Sequence, residues 1–129
     1  MTTLSMALGL IAAFTTLVAQ DQTPKIRMHN NARAMKKEIL KGIPIGSNIH
    51  TAKTIIEAND FQCEMKQHAA FSESTDDPTN PILHEGVDYL LCHKKKIISP
   101  LITRSWAIVI LQKEGVIENI YVHVDLTGP

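Results

Sequence analysis

Net charge, aromatic side chains and cysteine are all scarce in this chain, and each shortage closes off a class of function. Thirteen Lys and Arg balance thirteen Asp and Glu over 129 residues, so no global field draws the protein to nucleic acid or to an anionic surface. Aromatic residues make up 5%, with Trp106 the single tryptophan and Tyr89 and Tyr121 the two tyrosines, too few for a platform on which bases or sugars stack. The two cysteines, Cys63 and Cys92, form no Cys-x-x-Cys motif. Six histidines, His29, His50, His68, His84, His93 and His123, lack the close helical spacing of zinc ligands. The polar stretch "SESTDDPTN" has oxygen ligands but not the ordered acidic spacing and glycine of a calcium loop. Gly-x-Ser-x-Gly elbows, glycine-rich phosphate loops, internal repeats and paired catalytic carboxylates are also missing. The expectation is one domain with no catalytic residue, no metal site and no cofactor.

One long apolar run is present, "LSMALGLIAAFTTLVAQD" over residues 4–21. As a helix, Leu4 to Ala19 would reach about 24 Å, short of the roughly 30 Å hydrocarbon core, so no stable membrane span is expected. Its length, the small residues Ala12, Ala13 and Ala19, and the abrupt change to "QDQTPKIR" match a secretory signal peptide. It lacks a basic residue ahead of the run, and a cut after Ala19 places Leu17 where a small residue is preferred. The alternative is an apolar helix that stays attached. No cysteine near its end is available to carry a lipid. The reading divides the chain into a signal peptide at 1–20 and a single domain at 25–129, periplasmic or secreted.

Beyond Pro24, Met28, Ala32, Met35 and Ile39 recur three to four apart and predict an amphipathic helix over 29–41, closed by Gly42 and Pro44. Ile49, Ala52 and Ile56 predict a second over 48–59, with Gly46 in the preceding turn, Ser47 as the cap and Asn59 as terminator. The period then becomes two. Phe61, Cys63 and Met65 alternate with polar residues, residues 70–86 read as a long polar loop, and "VDYLLCHK" over 87–94 reads as a second strand. A basic connection, "KKKIISPLIT", leads to "RSWAIVILQ" over 104–112, apolar enough on both faces to be central. A "KEG" turn gives a final strand in which Glu118, Ile120, Val122 and Val124 share one face and Asn119, Tyr121 and His123 the other. The fold class is α+β: two N-terminal helices on one face of a three- to four-stranded antiparallel meander, a two-layer sandwich in the order α-α-β-β-β-β.

Cys63 and Cys92 fall in strands that neighbour each other in such a meander, so they can face one another, although the loop between them leaves the register open. An exported chain makes a disulfide the expectation. It would close a loop of about 30 residues and add about 3 to 4 kcal/mol. His93 beside Cys92 is the arrangement on which a small thiol-dependent enzyme using Cys92 or Cys63 could rest, but strand neighbours point to opposite faces. Candidate partner-binding residues are Tyr121 and His123 on the open sheet face, the basic turn Lys94, Lys95 and Lys96, and Arg104, together with the long polar loop.

The segment "IPIGSNIHTAKTIIEANDF", then a strand, a polar loop and a Trp106-containing hairpin running to the chain end, resembles the SmpA/OmlA (BamE-like) family of small envelope lipoproteins. It is also similar to their fold relatives, the repeats of β-lactamase inhibitor proteins. The matching stretches are Ile45, Gly46 and Ser47 through Ile56, Trp106 to Val109, and Gly115 to Val124. In that family an Ile-Gly turn opens the second of two helices and an antiparallel sheet follows. The resemblance implies a non-enzymatic, exported module that binds another envelope protein, as an accessory subunit of outer-membrane assembly does. The alternative within binding is an inhibitor or immunity protein whose acidic "ESTDD" loop plugs a partner enzyme.

Overall fold

The computed structural model describes residues 23–77 and 79–128. The expected signal peptide at 1–20 lies outside the described residues. Two helices, α1 (Ala32–Gly42) and α2 (Ile49–Ala58), precede four strands, β1 (Gln62–Glu73), β2 (Ile82–Ser99), β3 (Ile102–Lys113) and β4 (Val116–Thr127). The strands form one antiparallel sheet in the order β1-β2-β3-β4. The expected α+β architecture is therefore present.

Asn31 starts α1 by accepting the Ala34 amide at 2.8 Å, and the face carrying Met35 and Ile39 is fully buried. In α2 the capping side chain is Asn48 rather than the expected Ser47: its Oδ1 accepts from the His50 and Thr51 amides at 2.8 and 3.3 Å. Ser47 is taken up elsewhere, its backbone oxygen accepting from Ile117 N and its hydroxyl donating to Pro44 O. The adjacent Gly46 sits at φ 92, a conformation that a side chain resists, and donates its own amide to Ile117 O at 2.9 Å. The helix-to-helix turn is thereby hydrogen-bonded to the β3–β4 hairpin.

Trp106, Ile108 and Ile110 of β3 point at the helices and meet Met35, Ile39, Ile43, Ile49 and Ile56 in one buried core with Leu90, Cys92, Ile117 and Ile120. The indole N–H of Trp106 donates to His29 O at 2.8 Å. Asn59 does more than end α2: it accepts the Ile26 amide and donates to Pro24 O, tying down the segment before α1. Cys63 and Cys92 stand directly opposite each other in β1 and β2 and are joined in a disulfide.

Three local expectations are corrected. Glu118 does not share the inward face: a register shift between Leu111 and Gln112 turns Ile117 inward and leaves Glu118 exposed. The polar loop is confined to residues 74–81, because β1 runs on to Glu73 and β2 starts at Ile82. The basic segment is strand too, since Lys94 to Ile97 pair with Trp106 to Thr103; the turn lies at Pro100 and Leu101.

Candidate functional site

The extra length of β1 and β2 builds a surface on the sheet face away from the helices. Adjacent strands lie about 4.8 Å apart, so a flat sheet would hold β1 about 14 Å from β4. Yet the ring of Phe71 in β1 is 5.3 Å, centroid to centroid, from that of Tyr121 in β4. The outer arm of the β1–β2 hairpin therefore folds across the open face. The bend is local. Pairing shifts between Lys66 and Ala69 and again before Phe71, with His68 at φ 47 and Gly86 at φ 64, and Asp88 accepts the His68 amide at 3.0 Å.

A cluster of rings secures the folded arm. Phe71 stacks on His84 at 4.5 Å, meets Tyr89 edge-on at 5.1 Å, and His84 lies 5.3 Å from Tyr121. Tyr89 is only 5% exposed although it is not among the residues of the main core, and its hydroxyl donates to Ala70 O at 2.9 Å. His84 Nε2 is 3.0 Å from Glu73 Oε1. Offset and edge contacts of this kind add about 0.5 to 1.5 kcal/mol per pair beyond burial.

Between the arm, the sheet and the side of α1 lies an open groove of about 490 Å³. Val109 and Tyr121 line the sheet side, Phe71 and Glu73 the arm, and Arg33 and Lys36 the helix. The Lys36 ammonium sits 5.9 Å from the centroid of the Tyr121 ring. Arg33 is exposed and makes no hydrogen bond or ion pair among the described residues. An apolar floor beside the Arg33 and Lys36 cations suits binding of an apolar group that carries negative charge.

The candidate partner residues separate onto two faces. Tyr121 and His123 both line the groove, Tyr121 half-buried beneath Phe71 and His84, and His123 exposed. Lys94 is turned inward, donating to Asn59 O at 3.1 Å with its ammonium 5.5 Å from the Phe61 ring centroid. Lys95 and Lys96 are exposed, and Arg104 donates to Asn30 Oδ1 at 2.6 Å. Lys94, Lys96 and Arg104 alternate with Trp106 in register on the helix side, remote from the groove. Sequence reasoning did not identify Arg33, Lys36 or Tyr89, and it took in Phe71 and His84 only as part of the long polar loop. The helical period does place Arg33 and Lys36 off the buried stripe of α1, but nothing in it links that side to a hairpin arm.

The described residues of the polar turn at the end of the arm are joined by hydrogen bonds. Thr75 Oγ1 donates to Asp77 O, and Asp77 Oδ1 accepts from the backbone amide and hydroxyl of Thr79. These Thr79 hydrogen bonds hold the Asp77 carboxyl below its ordinary range. Both cysteine sulfurs are committed to the disulfide, so neither offers a thiolate. Among the described residues no His, Cys, Asp and Glu side chains gather as a metal set, and no helix is long and apolar enough to cross a membrane. Compared with family models, curated proteins and solved structures, the chain matches none.

Proposed function

We propose that the protein is an exported, non-enzymatic binding module of the bacterial cell envelope, and that the groove beneath the β1–β2 arm is where it holds another protein. The observation that carries this reading is the folded arm: a buried tyrosine and a four-ring cluster stabilise an open, apolar-floored groove outside the main core. Export is supported by the Cys63–Cys92 disulfide, since structural disulfides persist in oxidising compartments, and by the signal-peptide pattern at residues 1–20. Kinship with SmpA/OmlA-like accessory subunits is supported by two helices ahead of a meander and by the Gly46 turn that leads into α2.

The test is capture of the partner from periplasmic extract by the intact protein, alongside Arg33→Glu/Lys36→Glu and Val109→Asp variants. The reading expects one envelope protein held by the parent chain and lost from both variants. Recovery of the same proteins by all three chains overturns the groove as the site. A second reading, an inhibitor or immunity protein, is favoured by the acidic turn in which Asp77 accepts two hydrogen bonds from Thr79. In that case the captured protein is an enzyme whose activity falls on binding, and Asp76→Asn/Asp77→Asn releases it.

A further inference from the structure

The β2–β3 hairpin ends in an apolar tip that the core does not use. Ile97 is 76% exposed, Leu101 66%, Leu126 54% and Ile98 46%. β1 starts opposite His93, so from Lys94 onward β2 has only β3 beside it and the tip projects past the sheet's first strand. Leu126 joins from β4, opposite Arg104, which is opposite Lys96. Exposed aliphatic side chains gathered at one end of a sheet mark an interaction surface.

The charge behind the tip is mostly basic. Lys95 and Lys96 are exposed and take part in no hydrogen bond or ion pair among the described residues; Arg104 stands opposite Lys96 and donates to Asn30 Oδ1, and Lys94, opposite Trp106, is turned inward onto Asn59 O. Two carboxylates lie near this end: Asp125, which accepts its neighbour Leu126 N at 2.9 Å, and Asp60, set back beside Lys94 and Lys95. An exposed tip of aliphatic residues with Lys95 and Lys96 behind it has the layout of a bilayer-interface anchor. The side chains enter the acyl boundary, and the ammonium groups stay at headgroup level. A second copy of the chain would bring its own lysines against these, a like-charge clash. A protein partner is favoured by pockets and aromatic anchors, which the tip does not offer.

We propose that the Ile97–Leu101 tip docks the protein on an anionic phospholipid surface. This rests on observations separate from the groove. The probe is the full chain with Ile97→Trp, mixed with vesicles of phosphatidylcholine and phosphatidylglycerol, with or without brominated acyl chains. Trp106 is 2% exposed in the core, so its emission is a constant background, and the indole introduced at the tip reports on the tip alone whatever residues 1–22 do. The expected result is a blue shift with quenching by brominated lipid in anionic vesicles but not in pure phosphatidylcholine. Lys95→Glu/Lys96→Glu in that chain should weaken partitioning about tenfold or more, from roughly 1 kcal/mol per basic residue near the surface. Leu101→Asp in that chain should weaken it to a similar degree. No quenching in anionic vesicles overturns the proposal even if the chain sediments with them. So does a lipid-free dimer that Leu101→Asp dissociates, which would make the tip a protein interface.

Discussion

Cys92 is fully buried in the main core, and its bond to Cys63 ties the first strand to the second at the place where the helices cover them. The chain-entropy model gives about 3 to 4 kcal/mol for a closed loop of this length. Cys63→Ala/Cys92→Ala, or reduction of the parent chain, should lower the unfolding free energy in guanidinium by that amount, and an unchanged midpoint would contradict the stapling role. Glu38 offers a test of electrostatics at one side chain. A hydrogen bond with His29 holds its carboxyl below the ordinary value of 4.5, helped by nearby Lys41 and opposed by desolvation. A depressed folded value means the stabilisation is present above the unfolded pKa and is lost as pH falls through the folded one. Urea midpoints taken at about pH 5.5 and about pH 3 should therefore converge for Glu38→Gln and the parent chain at the lower pH.

At the scale of elements, the hairpin arm is the part most exposed to test. Gly86 sits at φ 64 with no heavy atom near its absent Cβ, so Gly86→Ala meets backbone strain rather than a clash. It should cost about 1 kcal/mol. Phe71→Ala removes the ring that touches His84, Tyr89 and Tyr121 and should release the arm while leaving the main core folded. Hydrogen exchange would then quicken at residues 69–73 and 82–87 and stay slow at Ile108 and Ile110; quickening throughout would mean that the arm is not a separate unit.

The same arm marks the limit of what the sequence made legible. The helices and the cores of β2, β3 and β4 could be read because Met35 and Ile39, Ile49 and Ile56, and Trp106 to Ile110 keep a single period against a single core. "HAAFSE" keeps none, because the bulge at His68 resets the alternation halfway, and the strand is held by contacts with rings far along the chain. "KKKII" was hidden for another reason: cross-strand hydrogen bonds to β3 need no apolar side chains, so a lysine run is compatible with strand. Of the residues singled out in advance, Tyr121 and His123 do border the groove. Their parity along β4 was enough to place them on the open face, but not to show that an arm covers part of it.

As a whole molecule, the protein is a two-layer α+β sandwich whose helices close one sheet face, while a folded arm partly closes the other. The main core carries stability through the helices and the disulfide, and beside the folded arm lies a groove with exposed Arg33 and half-buried Lys36 at its lip. Because Arg33 and Lys36 lie off the buried stripe of α1, Arg33→Glu/Lys36→Glu should leave the melting temperature within about 2 °C of the parent chain, as surface substitutions do. The loss should appear only in binding.

The most direct measurement of the central claim is site-specific photo-crosslinking in the native host, with the photoreactive group at Val109 on the groove floor and, as control, at Thr54 on the exposed side of α2. The account predicts one discrete adduct with an envelope protein from Val109, abolished by Arg33→Glu/Lys36→Glu, and none from Thr54. The same adducts from both positions, or none from Val109, would contradict it.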